Sequence, residues 1–153
     1  MTTEATDAVE VETRIRARPE TIFAFFTEPE LYHRWKGDAA ELDPRPGGIY
    51  RVSIPGRPTI EGTYLVVEPP RRLVFTWGWV GDVDLPPGSS RVEVTLAPAG
   101  DETVVRVFHS GLPTEWLRAQ HADGWHYYLG RLGVVARGGD PGREIGVASG
   151  PEL

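Results

Sequence analysis

His121 and His126 have the side chains a metal site would need, but a spacing of five residues turns them about 140° apart on a helix. The sequence places no acidic ligand beside either one, which argues against a metal centre. Ser110 follows His109 directly. Neighbours on a strand point to opposite faces, so these two cannot act as nucleophile and base, and no hydrolase triad is visible. Asp82 and Asp84 stand in a loop with glycine and proline and lack the ligand density of a calcium site. Gly47-Gly48 follows Pro46 and precedes a strand pattern, which is the context of a tight turn rather than of a phosphate-binding loop. No cysteine is present, so disulfides, thiolate nucleophiles and thiolate metal sites are all excluded. His109 on a strand and His121 on a helix remain, as polar exceptions among aromatic residues. They read either as hydrogen-bonded core histidines or as groups that orient a ligand or exchange a proton with it.

The elements that must position them follow from periodicity. Val9, Val11, Thr13 and Ile15 alternate with charged residues, the signature of a strand with one buried face. Pro19 suits the first turn of a helix with Ile22, Phe23 and Phe26 as its apolar stripe. A second short helix is expected next, with Thr27 and Glu30 at capping-box spacing, Leu31 and Trp35 on one face, and Gly37 as a left-handed cap. From Glu41 to Ser110, turn residues punctuate strand patterns at short intervals, which implies antiparallel neighbours. The inward rows are Tyr50, Val52 and Ile54; Ile60, Gly62, Tyr64 and Val66; Leu73, Phe75, Trp77 and Trp79; Val92, Val94 and Leu96; and Val105, Val107 and His109. A long helix is predicted from Pro113 or Thr114 to about Arg137, with Leu117, His121, Trp125, Tyr128, Leu132 and Val135 in one stripe. These patterns describe one α+β domain over residues 9–136, a curved antiparallel sheet around a long C-terminal helix. Residues 1–8 and 137–153 are expected to be mobile tails.

The chain has 153 residues, enough for one such domain. Its net charge is −6 and its arginines are scattered among more numerous acids, which is the wrong pattern for a nucleic-acid partner. The longest apolar runs are too short to cross a bilayer, and the acidic N-terminus does not read as a signal peptide. Cytoplasmic residence is the default expectation.

Particular residues add a resemblance. Ala17-Arg18-Pro19-Glu20-Thr21-Ile22-Phe23, Trp35, Asp43-Pro44-Arg45-Pro46-Gly47-Gly48, Gly62, Glu68-Pro69-Pro70-Arg71-Arg72-Leu73, Thr76-Trp77, His109-Ser110-Gly111-Leu112 and His121-Ala122-Asp123-Gly124-Trp125 resemble the activator of Hsp90 ATPase homologues. The likeness is to single-domain bacterial members of that family, within the SRPBCC superfamily of START and Bet v 1-like proteins. It implies the helix-grip fold, with two short helices after the first strand. The superfamily includes lipid carriers, receptors, polyketide cyclases and co-chaperones. The eukaryotic activator has a further N-terminal domain that engages its chaperone, so the resemblance argues against an Hsp90-type chaperone as partner here.

The expectation is therefore a binding or sequestering protein for a hydrophobic small molecule, aromatic or lipid-like, held between sheet and terminal helix. No cofactor and no membrane partner is implied, and a homodimer is left open. The expected lining is Trp35, Tyr50, Gly62, Tyr64, Phe75, Trp77, Trp79, His109, His121, Trp125 and Tyr128. Gly62 is expected to leave room for a cavity of about 300 Å³ or more. One alternative is a polyketide cyclase or dehydratase-like enzyme using His109, His121 or Tyr128 for proton transfer. Another is a protein-interaction module of the chaperone-activator type.

Overall fold

The alternation at the start of the chain becomes β1 (Val9–Ile15) in a computed structural model that describes residues 7–142. Residues 1–6 and 143–153, which make up most of both expected tails, lie outside the described residues. Two short helices follow, α1 (Pro19–Thr27) and α2 (Pro29–Tyr32). Six strands come next: β2 (Ala39–Leu42), β3 (Ile49–Ser53), β4 (Ile60–Glu68), β5 (Arg72–Trp77), β6 (Ser90–Ala99) and β7 (Glu102–Ser110). The long helix α3 (Glu115–Ala136) closes the order. The strands form a single seven-stranded sheet in the order β1-β7-β6-β5-β4-β3-β2, antiparallel throughout. The sheet is curved and grips α3, the arrangement expected of a helix-grip fold.

Thr114 caps α3, its hydroxyl accepting from the Leu117 N–H at 3.1 Å. Such a cap contributes about 1 kcal/mol. Leu117, His121, Trp125, Tyr128, Leu129, Leu132 and Val135 are the helix residues that become buried, so the predicted stripe is the face that meets the sheet. The other wall of the core comes from the inward rows of the strands together with Ile22, Phe26, Tyr32 and Trp35. On the outer face Arg106 pairs with Glu10 and Arg72 with Glu93. These pairs are half exposed and fix little energy.

Four local expectations are corrected. Thr27 does not cap α2: it ends α1, and its hydroxyl donates to the Phe23 carbonyl at 3.0 Å. Pro29 starts α2 after Glu28, and the helix stops at Tyr32, so Trp35 lies beyond it. Gly37 does have a left-handed backbone (φ 79°), but it turns the chain into β2 instead of ending α2. In β4 the register shifts between Tyr64 and Val66, and this irregularity changes the parity of the row. Val67, not Val66, then packs against the core.

The described end of the chain folds back a little. The Gly139 N–H donates to the Val134 carbonyl at 2.9 Å, and Arg131 donates to the Pro141 carbonyl at 3.4 Å.

Candidate functional site

Where α3 crosses the upper half of the sheet, two tryptophan–histidine pairs bridge the layers. The indole N–H of Trp125 donates to His109 Nδ1 at 3.1 Å. An indole nitrogen can only donate, so Nδ1 accepts and the proton of neutral His109 is on Nε2. That N–H meets the Ser90 hydroxyl at 2.9 Å, and the hydroxyl passes its own proton to the Trp77 carbonyl at 2.8 Å. The second pair runs the other way. Trp79, just beyond β5, donates to His121 Nε2 at 3.2 Å, and His121 Nδ1–H donates to the Leu117 carbonyl at 2.8 Å. Both histidines are buried.

Electrostatics agrees with these tautomers. Burial pushes His109 well below the ordinary histidine range, reinforced by His121 and Lys36. Burial likewise lowers His121 to about 4, with Lys36 adding to the shift while the Leu117 hydrogen bond and Asp82 oppose it. Each ring is neutral near pH 7 with both nitrogens engaged. This is the arrangement of core histidines, one of the two readings open from sequence.

Beside these pairs lies a cleft of about 30 Å³ walled by Trp77, Trp79, His121, Trp125 and Tyr128. The expected cavity of about 300 Å³ is therefore corrected: the rings of the two walls interlock. Trp77 packs at 5.3 Å from Trp125 and edge-on to Trp79 at 6.0 Å between ring centroids. Such offset and edge-to-face contacts are themselves favourable.

The other expected residues fall elsewhere. Trp35 donates to the Phe25 carbonyl at 2.9 Å and lies edge-on to Phe26. Tyr50 hydrogen-bonds Tyr32 through their hydroxyls and stacks on Phe75. Tyr64 packs edge-on to Tyr50 and Phe75, and its buried hydroxyl has no hydrogen-bond partner among the described residues. Burial raises the ionisation of both Tyr50 and Tyr64 above the usual phenol range. Trp35, Tyr50, Tyr64 and Phe75 are core residues that do not line the cleft. Gly62 is also absent from it and lines a groove with Gly47, Glu61 and Pro87. A Cβ on Gly62 would stand 1.8 Å from the Thr76 carbonyl oxygen, so the glycine permits close strand approach and opens no space beneath the helix.

Lys36, Ile54, Arg57, Gln120 and Gly124 complete the wall and were not anticipated. Lys36 is buried, with its Nζ 4.5 Å from the Trp77 ring centroid, 4.6 Å from Trp125 and 4.5 Å from Tyr128. It is held there by its neighbour: Trp35 is anchored through its indole to Phe25 and through its carbonyl to Arg131 at 2.9 Å. Ile54 and Arg57 come from the turn between β3 and β4. One signal for Lys36 was available, since every other basic residue in the chain is arginine.

The family model for Activator of Hsp90 ATPase homolog 1-like protein matches residues 16–137. The chain belongs to this AHSA1-like family. An AHSA1-like protein from Rhizobium etli is similar to it at 43% identity and a TM-score of 0.73, over 90% of this chain and 86% of that one. Protein MLL2253 from Mesorhizobium loti is 25% identical with a TM-score of 0.78, over 87% and 98% of the two chains. DynU16, of the dynemicin biosynthetic locus, is 26% identical with a TM-score of 0.79 over 90% of this chain; the match spans 50% of DynU16. A comparison with functionally curated proteins gives no match.

Among the described residues of this AHSA1-like chain, no group of three or more histidine, aspartate or glutamate side chains is placed to hold a metal ion. No described helix is long and apolar enough to cross a membrane. What the cleft offers chemically is an apolar, ring-walled surface with a few polar atoms. Two side chains of the wall, Trp77 and Gln120, each carry a buried polar atom, Nε1 and Oε1, without a hydrogen-bond partner among the described residues.

Proposed function

We propose that this AHSA1-like protein binds a hydrophobic small molecule, aromatic in character, in the cleft between α3 and the sheet. The observation that carries this reading is the meeting of an apolar aromatic wall with two unsatisfied polar atoms, Trp77 Nε1 and Gln120 Oε1. A buried donor or acceptor without a partner costs about 1–3 kcal/mol, and a ligand that supplies both complements offsets that cost. Apolar walls with a few convergent polar groups are the usual make-up of a small-molecule site.

At about 30 Å³ the cleft is smaller than a ligand of this class needs. A ligand must part the β3–β4 turn, which carries Ile54 and Arg57, from the middle of α3 around Gln120 and Gly124. Gly124, one of three interior glycines of that helix with Gly130 and Gly133, is the one at the cleft, and an interior glycine lowers helix stability by up to about 1 kcal/mol relative to alanine. The origin of DynU16 in a biosynthetic locus supports a small-molecule role. Binding is favoured over catalysis because His109 and His121 are neutral and fully hydrogen-bonded. Either would have to break its tryptophan bond before it could accept a substrate proton.

The test is titration with N-phenyl-1-naphthylamine, a neutral apolar fluorophore. Saturable enhancement of the probe with parallel quenching of tryptophan emission is expected. Trp77→Ala and Trp125→Ala variants that remain folded should alter the binding. No saturable binding up to the solubility limit of the probe would overturn the reading.

A further inference from the structure

We propose that the ligand is an anion, an aromatic or conjugated carboxylate whose oxygens lie against Lys36. This rests on the small-molecule reading above and narrows its ligand class. Among the described residues the cleft wall contains Lys36 and Arg57 and no aspartate or glutamate, the acid that acts on its His121 being Asp82 outside the wall, although the whole chain has 22 acidic residues against 16 basic ones. A locally cationic wall on an acidic protein selects for negative charge and steers it to one place.

Lys36 sits in a cage of three rings. Three ring faces lie within 4.6 Å of its Nζ, and ring faces stabilise an ammonium that has left water. The rings are held independently of the lysine, since Trp125 is fixed to His109 and the Trp77 backbone to Ser90. Where solvent is excluded, attraction between an ammonium and a carboxylate is several times stronger than in water. The residue type also fits. The other fifteen basic residues of the chain are arginine; here the compact ammonium suits a three-ring cage that a planar guanidinium would fill differently.

Trp77 supplies a second donor, since its buried N–H lacks an acceptor among the described residues. A carboxylate brings two acceptor oxygens, one for each donor, while Ile54, Trp79 and Trp125 offer flat apolar surface to a conjugated body. An organic cation would also suit such rings, but it would have to evict Lys36 and would meet Arg57 at the same wall.

Three probes with one naphthyl body separate the cases on the wild-type chain: 2-naphthoate, 2-naphthalenemethanol and (2-naphthylmethyl)trimethylammonium, followed by calorimetry and tryptophan quenching. The carboxylate should bind at least about tenfold more tightly than the alcohol, the preference should shrink with added salt, and the cation should not compete. Lys36→Met should erase the preference while leaving the alcohol within about threefold of its wild-type affinity, with folding checked by circular dichroism. The wild-type comparison stands even where that variant fails to fold. Equal affinity for acid and alcohol would overturn the anion assignment and leave small-molecule binding intact. Tighter binding of the cation would replace it with an organic-cation site, and no binding by any probe would overturn both readings.

Discussion

The indole N–H of Trp125 donates to Nδ1 of His109 at 3.1 Å, and this bond fixes the middle of α3 to β7. With the converse bond from Trp79 to His121, it locks the helix against the sheet where the candidate ligand cleft lies. The same bonds make the cleft narrow and engage the acceptor nitrogen of each ring, while burial keeps both histidines neutral. Structure and chemistry are therefore coupled: what holds the helix in place also withholds the two imidazoles from proton transfer.

Replacing Trp125 with phenylalanine keeps an aromatic ring but strips His109 of its donor. A buried acceptor left unsatisfied costs about 1–3 kcal/mol, with a further loss from the smaller ring. Urea denaturation should show a drop of that size. A change below about 0.5 kcal/mol would mean that the bond contributes nothing net.

Stability should fall with acidity through the same residues. Burial holds His109 and His121 below the ordinary histidine range, His121 at about 4, whereas in the unfolded chain each returns to about 6.5. Between those limits the unfolded chain takes up protons that the folded chain refuses. Their contribution is thus intact above about pH 6.5 and is lost as the pH falls towards 4, by about 1.4 kcal/mol per unit for each histidine. Denaturation midpoints at pH 7.5, 6.5 and 5.5 should decline over the last step. A flat profile would show that both rings titrate normally in the fold, and a decline of half the expected slope that one of them does.

The inward rows and the terminal helix were readable because burial on one face imposes a period on the sequence. Val11, Tyr50, Phe75 and Val107 are buried on the rows assigned to them. The period fails where the backbone breaks it, as at Tyr64 and Val66, because an irregularity leaves no mark in residue type. β2 was also hard to single out, since Ala39–Leu42 is an edge strand with no buried residue to set an alternation. The site was only half legible. Trp77, Trp79, His121, Trp125 and Tyr128 announced themselves as rings at the right spacing. Lys36 did not, because a lysine after a short helix reads as surface, and its burial depends on rings from β5 and α3 arriving together. Cleft volume was out of reach for a related reason: it is set by how large rings interlock, not by how many there are.

Gly130 offers a stabilising change. It lies exposed in the interior of α3, and a Cβ added there would meet nothing within 4 Å. Gly130→Ala should therefore gain about 0.5–1 kcal/mol by restricting the unfolded chain without disturbing the fold. A raised Tm with unchanged probe binding is the expected result.

Gly62 should behave in the opposite way. The sequence invites the idea that it hollows out the concave face, so that a larger residue would fill a cavity. In the structure it pairs with Tyr50 across β3 and β4, and its missing Cβ faces the Thr76 carbonyl, where the atom would stand at 1.8 Å. That neighbour is backbone and cannot rotate away. Accommodating even a methyl group means separating β4 from β5 beside the Thr63 N–H bond to the Thr76 hydroxyl, 2.9 Å long. Overpacking of this kind costs about 1–3 kcal/mol, occasionally more. Gly62→Ala should therefore lower the denaturation midpoint substantially, while any protein that remains folded binds N-phenyl-1-naphthylamine with nearly wild-type affinity, because the cleft wall is untouched. If Gly62→Ala instead weakened probe binding at unchanged stability, the glycine would belong to the ligand site after all, and the bound ligand would have to reach further along β4 than the cleft extends in the structure.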